Sequence, residues 1–344
     1  MHKKKIKIFL GGYINFTNAQ NLNCLALAKY LDSSKFTTYA LSVYFLPKIK
    51  SKAIIFNCFY PFRISSILGF LWGVIRCDIA YIPKHKSLPN WILYIAILLG
   101  KKVFTTIENN MCDLGKESMI NSFGGGKNLV NYFKFIPNIF GITQYIIDNA
   151  NCGVVLEEKV LYLGVDTDIY FQKPRKRLKN IVFVGNLNKR KRAGEFLQLA
   201  EKFPDINFNI IGDGIDKESL KIKAANNVTF FGHLNQQDVA SKFNEMDLHI
   251  LPSISEGFPK VILEAASSGI PSIVYSNYGA SEWIVNNKNG FIVNDFEQLT
   301  TILRSLIDNE NLLTRNSEGA ILLAKRFDWK IVIREWENVI YNLR

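Results

Sequence analysis

The sequence predicts an α/β protein built from two doubly wound parallel-sheet domains. Three observations carry this reading: a length of 344 residues, short apolar runs alternating with helical stretches, and a polar, basic interruption near the middle after which the alternation begins again. Single cores stop growing at roughly 250 residues, so a chain of this length divides. A hydrophobic fraction of 48% with 13% aromatic residues supplies sizeable cores, and no low-complexity tract argues for disorder.

In the first half, Lys5–Leu10, Thr38–Tyr44, Ile79–Ile82, Lys102–Thr106 and Val160–Leu163 read as strands. The start imitates a signal peptide, since Lys3, Lys4 and Lys5 precede apolar residues. Lys7 interrupts that stretch and Gly11-Gly12 ends it, so it reads as a first strand entering a glycine turn. A membrane-crossing helix needs roughly 20 apolar residues. The best candidate, Trp91 to Leu99, stops at Gly100-Lys101-Lys102, and Ser66 to Ile82 carries Arg76 and Asp78. Peripheral membrane contact remains open.

After Asp166 the run Gln172-Lys173-Pro174-Arg175-Lys176-Arg177 reads as a linker. Beyond it, Ile181–Val184, Phe208–Ile211, Val228–Phe231, Leu248–Leu251, Ser272–Tyr275 and Gly290–Val293 repeat the alternation. In the tail, Val332, Trp336, Val339 and Ile340 share one helical face, as in a docked amphipathic helix. The expected domains are therefore residues 1–166, residues 167–326, and a C-terminal helix, 327–344, returning to the first domain.

The formal charge of +12 is uneven: 19 Lys and Arg face 8 Asp and Glu up to Val165, and 23 face 22 after it. Such an imbalance fits nucleic acid, an anionic membrane surface, an acidic ligand, or simple solubility. No zinc-finger spacing, helix-turn-helix pattern or aromatic-rich basic repeat supports nucleic acid. The preferred partner is a membrane surface carrying an anionic substrate. Cys24, Cys58, Cys77, Cys112 and Cys152 are odd in number and widely spaced. They suggest no disulfide framework or metal site and read as small buried thiols of a cytoplasmic protein.

The most informative stretch runs from Pro252 to Ala265. A buried strand ends at Leu251, a short turn carries Glu256, and Pro259 stands where a first-turn proline starts a helix. A helix N-terminus offers N–H groups and a positive dipole end, which together hold a diphosphate without a metal. Glu264, one turn beyond Lys260, suits ribose or sugar hydroxyls.

Glu256 and Glu264, with seven residues between them, resemble the E-x7-E motif of the family-four retaining glycosyltransferases (glycosyl transferases group 1). These are two-lobed enzymes of the GT-B fold, in which two Rossmann-like domains face a cleft. The resemblance continues through Ala266-Ser267-Ser268-Gly269-Ile270-Pro271, Gly279-Ala280-Ser281-Glu282 and Asn289-Gly290-Phe291-Ile292-Val293. It implies that turn residues Gly257, Phe258, Pro259, Lys260 and Val261 hold the sugar and diphosphate, Glu264 the ribose, and Glu256 the sugar hydroxyls.

The stretch Phe183 to Arg192 resembles the family's strand, Gly-Arg turn and phosphate-binding lysine, with Gly185 in the turn and Lys191 or Arg192 at the lysine position. A cation there offsets charge growing on the departing diphosphate. Asn186 stands where the family has arginine, and Lys189, Arg190, Lys191 and Arg192 are the candidates to replace that charge. Alone, the basic run would read as an exposed loop. Gly212-Asp213-Gly214, Gly232-His233-Leu234 and Leu161 to Asp166 resemble a glycine turn, a base-side loop and the interlobe junction.

In the first domain, Gly11 and Gly12 resemble the glycine loop that admits donor phosphates and acceptor, or form merely a tight turn; Tyr13 follows on the acceptor side. The family's post-strand histidine is replaced by Glu108. Its carboxylate either lies in the cleft near the reacting carbon or is a surface glutamate at a strand end. His85 is an acceptor-side residue or an ordinary loop histidine.

The resemblance implies glycosyl transfer from a nucleotide-sugar donor, UDP-linked by family frequency, with retention of configuration, no cofactor and no obligatory metal. The expected acceptor is a lipid-linked or polysaccharide intermediate at the inner face of a bacterial membrane. A nonhydrolysing sugar-nucleotide epimerase and a non-catalytic scaffold of polysaccharide assembly remain as alternatives.

Overall fold

The structure is a computed structural model that describes residues 4–16, 18–83, 88–112 and 119–344. The chain divides into two compact units. One comprises the residues up to Leu163 together with Trp329–Arg344; the other is Gly164–Asp328.

The first unit carries strands β1 (Ile6–Tyr13), β2 (Phe36–Val43), β3 (Ile54–Cys58), β4 (Ile79–Tyr81), β5 (Lys102–Ile107) and β6 (Asn138–Gly141). They form one parallel sheet in the order β3-β2-β1-β4-β5-β6. Helix α1 (Ala19–Tyr30) joins β1 to β2, α2 (Phe62–Arg76) joins β3 to β4, and α3 (Asn90–Leu98) joins β4 to β5. Right-handed crossovers put α2 and α3 together on one face of the sheet and α1 on the other, because the order reverses after β3. Short helices α4 (Met119–Ser122), α5 (Gly126–Phe133) and α6 (Gln144–Asp148) flank β6.

Covered on both faces, the middles of the central strands carry consecutive apolar residues: Ile8, Phe9, Leu10, Val103 and Phe104 are fully buried. Two expectations change here. Val160–Leu163 is not a strand; it runs extended beside β6, with the Leu161 amide donating to the Gly141 carbonyl at 2.9 Å. Gly11-Gly12 is not a turn after the first strand but lies inside it. Leu10 pairs with Ala40 and Tyr13 with Leu41, so the two glycines are the extra residues of a bulge. A Cβ on Gly12 would fall 2.7 Å from Cys24 Sγ, so the close approach of α1 requires glycine there.

The second unit carries β7 (Asn180–Val184), α7 (Ala193–Lys202), β8 (Asn207–Ile211), α8 (Lys217–Ile222), β9 (Val228–Gly232), α9 (Gln236–Phe243), β10 (Leu248–Leu251), α10 (Lys260–Ser267), β11 (Ser272–Tyr275) and β12 (Gly290–Val293). Helices α11 (Phe296–Asp308) and α12 (Glu310–Arg326) follow. Its parallel sheet, β12-β11-β10-β7-β8-β9, repeats the order of the first. The reversal of strand order falls between β7 and β10, the place where ligands settle in open α/β sheets.

Helix α13 (Trp329–Asn342) belongs to the first unit and packs on α1. Val332, Trp336, Val339 and Ile340 are all buried, and Trp336 Nε1 donates to the Tyr162 carbonyl at 2.9 Å. The expected linker is also corrected. Arg175 is buried, and its guanidinium donates to the carbonyls of Phe243, Asn244 and Ser268 at 2.8–3.0 Å. One side chain thereby satisfies orphan carbonyls at the ends of α9 and α10. The cysteine reading is corrected as well: Cys112 and Cys152, with Cα atoms 5.3 Å apart, form a disulfide, while Cys24, Cys58 and Cys77 are buried thiols.

Candidate functional site

The candidate site lies at the C-terminal ends of β7, β8 and β10 in the second unit. Two glycine turns meet there backbone to backbone. The Gly185 amide donates to the Ile211 carbonyl at 3.0 Å and the Leu187 amide to Asp213 at 2.8 Å. A Cβ on Gly212 would sit 1.9 Å from the Gly185 carbonyl oxygen, and Gly212 itself has φ of 144°. Only glycine fits that contact. The turns wall a cavity of about 550 Å³ lined further by Asn186, His233 and Leu234. Gly232, in the left-handed region at φ 71°, ends β9 beside it and accepts from the Gly212 amide at 2.8 Å.

Lys189–Lys191 form a single helical turn whose start is capped by the Asn188 side chain, which accepts from the Lys191 amide at 3.1 Å. The turn buries Lys191 and sends its ammonium to Glu256 Oε1 at 2.6 Å. Arg190 Nη1 reaches the same oxygen at 3.0 Å, and the Ser253 hydroxyl donates to it at 2.5 Å. The loop after β10 is stitched to the loop after β7 by the Ile254 amide on the Arg190 carbonyl at 2.9 Å and by Arg190 Nη1 on the Ser255 carbonyl at 2.5 Å. Burial alone would raise the Glu256 carboxyl, but Lys191 and Arg190 outweigh it and hold it below the usual carboxylate range. Burial pulls the Lys191 ammonium below its ordinary value despite Glu256. Two cations against one carboxylate leave the cluster with one excess positive charge.

The choice at the lysine position falls on Lys191. A Cβ on Gly185 would lie 3.8 Å from its Nζ, which puts the ammonium at the glycine turn. Arg192, held in the left-handed region at φ 48°, pairs instead with Glu195 at 3.1 Å and lies over the Tyr275 ring at 5.7 Å. Asn186 remains at the turn, and Arg190 is the second cation that the structure brings to Lys191.

Helix α10 begins at Lys260, with Pro259 in the cap position rather than the first helical one, a shift within the ordinary spread of helix boundaries. Among the described residues no side chain caps this N-terminus. Gly257, Phe258 and Pro259 are buried and Val261 is half-buried. The Phe258 ring packs against Trp283 and Phe327, at centroid distances of 4.8 and 5.3 Å, and so anchors the turn. Glu264, half-buried, lies near Lys260, Tyr170 and Gln236; burial raises its carboxyl above the usual range against the pull of all three.

Sequence reading had no signal for Ser253 as a Glu256 partner, nor for His249. The latter is fully buried in β10, with Nδ1 2.9 Å from the Ser272 hydroxyl, and burial together with Lys191 lowers it to about 3.

In the first unit, Glu108 follows β5 and accepts from Asn23 Nδ2 at 2.6 Å, beside Tyr81, whose hydroxyl lies 2.7 Å from that of Thr106. Glu108 is thus anchored, not a loose surface carboxylate. Tyr13 is turned into the core, its hydroxyl bonded to Ser66 and its ring against Phe62 and Phe70. Its side chain follows directly on the bulge at Gly11-Gly12. His85 lies outside the described residues.

A family model for glycosyl transferases group 1 matches residues 166–322. The chain is 28% identical over 296 residues to the capsular polysaccharide biosynthesis glycosyltransferase CapM of Staphylococcus aureus, covering 81% of this chain and 68% of that protein. It is 29% identical over 174 residues to an uncharacterized glycosyltransferase of Haemophilus influenzae, covering 47% and 49% of the two. The sulfoquinovosyl transferase SQD2 of Arabidopsis thaliana matches at 27% identity over 52% of this chain and 39% of its own length. The chain therefore spans about half or less of the length of several curated relatives it matches. Among solved structures, Anabaena HepE in complex with UDP-glucose superposes with a TM-score of 0.79 at 16% identity, over 98% of this chain and all of that one. Sucrose-phosphate synthase from Thermosynechococcus elongatus gives 0.81 at 11% identity over 99% of both chains. Residues 166–322 are thus similar to glycosyl transferases group 1, and the two six-stranded parallel sheets give the chain the GT-B fold.

Proposed function

We propose that this protein transfers a sugar from a UDP-sugar to a lipid-linked or polysaccharide acceptor in bacterial surface glycan synthesis, with retention of anomeric configuration. The observation that carries the reading is the Lys191, Arg190 and Glu256 cluster, placed at the strand-order reversal of the second unit beside the glycine turns. A diphosphate is the ligand such a site suits: it is anionic, it fits where backbone replaces side chains, and an N-terminal helix turn favours it.

In this reading the β-phosphate accepts from Lys191 and Arg190. An ammonium has three donor hydrogens, so Lys191 keeps Glu256 while serving phosphate oxygens. As the bond from sugar to diphosphate breaks, negative charge grows on the leaving group, and the preorganised cations stabilise it more than the ground state. Glu256 sets their positions, and Gly257 to Val261 hold the sugar and phosphates. Glu264 takes the ribose, and the cavity at His233 and Leu234 takes the base. Glu108 is proposed for an acceptor or sugar hydroxyl. Side-chain cations and helix amides make a metal unnecessary in this scheme.

The relatives and structural neighbours support the donor and acceptor classes. CapM is a capsular polysaccharide glycosyltransferase and HepE was solved with UDP-glucose. The test is product analysis with UDP-sugars, with and without a glycan acceptor. Transfer with retained configuration supports the reading. Epimerised free nucleotide sugar without acceptor would replace it with the epimerase, and tight UDP binding without turnover would replace it with the scaffold.

A further inference from the structure

Helices on the outside of a doubly wound sheet ordinarily turn a polar face to water. In the first unit α2 and α3 do the opposite. On α2, Ile64, Leu68 and Ile75 fall on one stripe and are exposed, Ile64 by 59%. On α3, Trp91, Tyr94 and Leu98 do the same, Leu98 by 67%. The two helices pack side by side on the same sheet face, so the stripes make one surface. It continues past the N-terminus of α2 into Phe45 and Tyr60, the latter 80% exposed, in the loops that follow β2 and β3.

The charges around this surface are predominantly positive. From Ser33 to Ile107 the sequence has ten Lys and Arg and a single acid, Asp78. Arg63 and Arg76 stand at the two ends of α2, and Lys101 and Lys102 follow α3; Asp78 is engaged by the Lys7 amide at 2.9 Å. Exposed aliphatic side chains, amphipathic aromatics and a cationic rim are what an anionic bilayer surface recognises. Among the described residues Arg63, Arg76, Lys101 and Lys102 outnumber Asp78 around this face, so a protein partner would have to bring both an apolar face and several acids, whereas an anionic bilayer offers both together. Among the described residues no helix is long and apolar enough to cross a membrane.

We infer that the outer face of α2 and α3 is a docking surface for an anionic lipid bilayer, with the apolar stripes entering the interface and Arg63, Arg76, Lys101 and Lys102 meeting lipid phosphates. This deepens the proposed function and rests on its lipid-linked acceptor. The loops after β2 and β3, where the apolar surface ends, lie at the same C-terminal end of the sheet as Glu108, the end at which an acceptor of this unit is read.

The test is flotation of the full chain with vesicles of phosphatidylcholine alone and of phosphatidylcholine with phosphatidylglycerol, at low and high salt. One variant carries Ile64→Gln, Leu68→Gln, Tyr94→Gln and Leu98→Gln; a second carries Arg63→Gln and Arg76→Gln. The wild type is expected to float with phosphatidylglycerol vesicles. The apolar variant should lose about tenfold or more in partitioning, and the cation variant about fivefold per charge at low salt. Both should keep the wild-type circular dichroism and any melting shift produced by UDP. A wild type that floats with neither vesicle, or an apolar variant that floats as well as the wild type, overturns the inference. So does a wild-type dimer, seen by light scattering, that the apolar variant dissociates while neither protein floats. Absence of a UDP shift in the wild type would count against the donor reading alone, because flotation is read without nucleotide.

Discussion

The Lys191 ammonium and Glu256 Oε1 are 2.6 Å apart in a buried pair, and Arg190 brings a second cation to the same oxygen at 3.0 Å. The surplus positive charge of this cluster is what the proposed donor site offers to a diphosphate. Removing Lys191 should therefore damage the chemical step. Lys191→Met is expected to lower kcat for transfer from a UDP-sugar by about 10²–10³-fold, measured under saturating donor.

In the proposed donor site Arg190 supplies the charge that Asn186 lacks. Arg190→Gln should cost about tenfold in kcat/KM. Because Lys191 and Arg190 share Glu256, the double variant should lose less than the product of the two singles. Multiplicative losses in steady-state kinetics would show that the two cations act separately.

Acid should destabilise the second unit through His249. Burial and Lys191 lower its folded pKa to about 3 from an unfolded value near 6.5. The unfolded chain therefore binds the extra proton first. Stability from this group is fully present above pH 6.5 and is lost as pH falls toward 3. Glu256, also lowered when folded, adds a loss below the unfolded carboxylate value of 4.5. His249→Gln should narrow the difference in Tm between pH 7.5 and pH 5, measured by calorimetry.

Arg175→Met should leave carbonyls at the ends of α9 and α10 without their donor and destabilise the protein by about 3 kcal/mol or more. Arg175→Lys should not rescue it, since three carbonyls need the guanidinium fork. Urea unfolding followed by circular dichroism reads both.

Gly212→Ala would push a methyl carbon to 1.9 Å from the Gly185 carbonyl oxygen. The turns must then part, which is expected to abolish UDP binding and lower stability by about 3 kcal/mol. Calorimetric titration with UDP and a melting curve check the two effects.

The six strands of the second unit were legible because each is a short, mostly apolar run, buried in all but the half-exposed β9, and closed by a glycine, polar or proline residue. Strands β3 and β6 were not. Ile54 and Ile55 lie on an exposed edge after a lysine-rich loop, and β6 begins with polar Asn138 directly after Pro137. Arg175 looked like a linker charge because burial of a cation depends on carbonyls about 70 and 90 residues away. The Cys112–Cys152 bond joins loops separated by 40 residues, which spacing alone does not pair. In the site, Glu256 was readable from its motif and the lysine position only as Lys191 or Arg192, and the direct pairing of Lys191 with Glu256 was not readable. Only the packed loops show that Arg190 joins them and that Arg192 turns to Glu195 instead.

The central claim is that the second unit holds a UDP-sugar through Lys191 and Glu264. Its most direct test is a melting-temperature panel of UDP, GDP, ADP and their sugars against wild type, Lys191→Met and Glu264→Ala, since a ligand specific for the native state raises Tm. The account predicts a rise with UDP and its sugars that both substitutions abolish. No rise with any nucleotide, or one that survives in both variants, would contradict it.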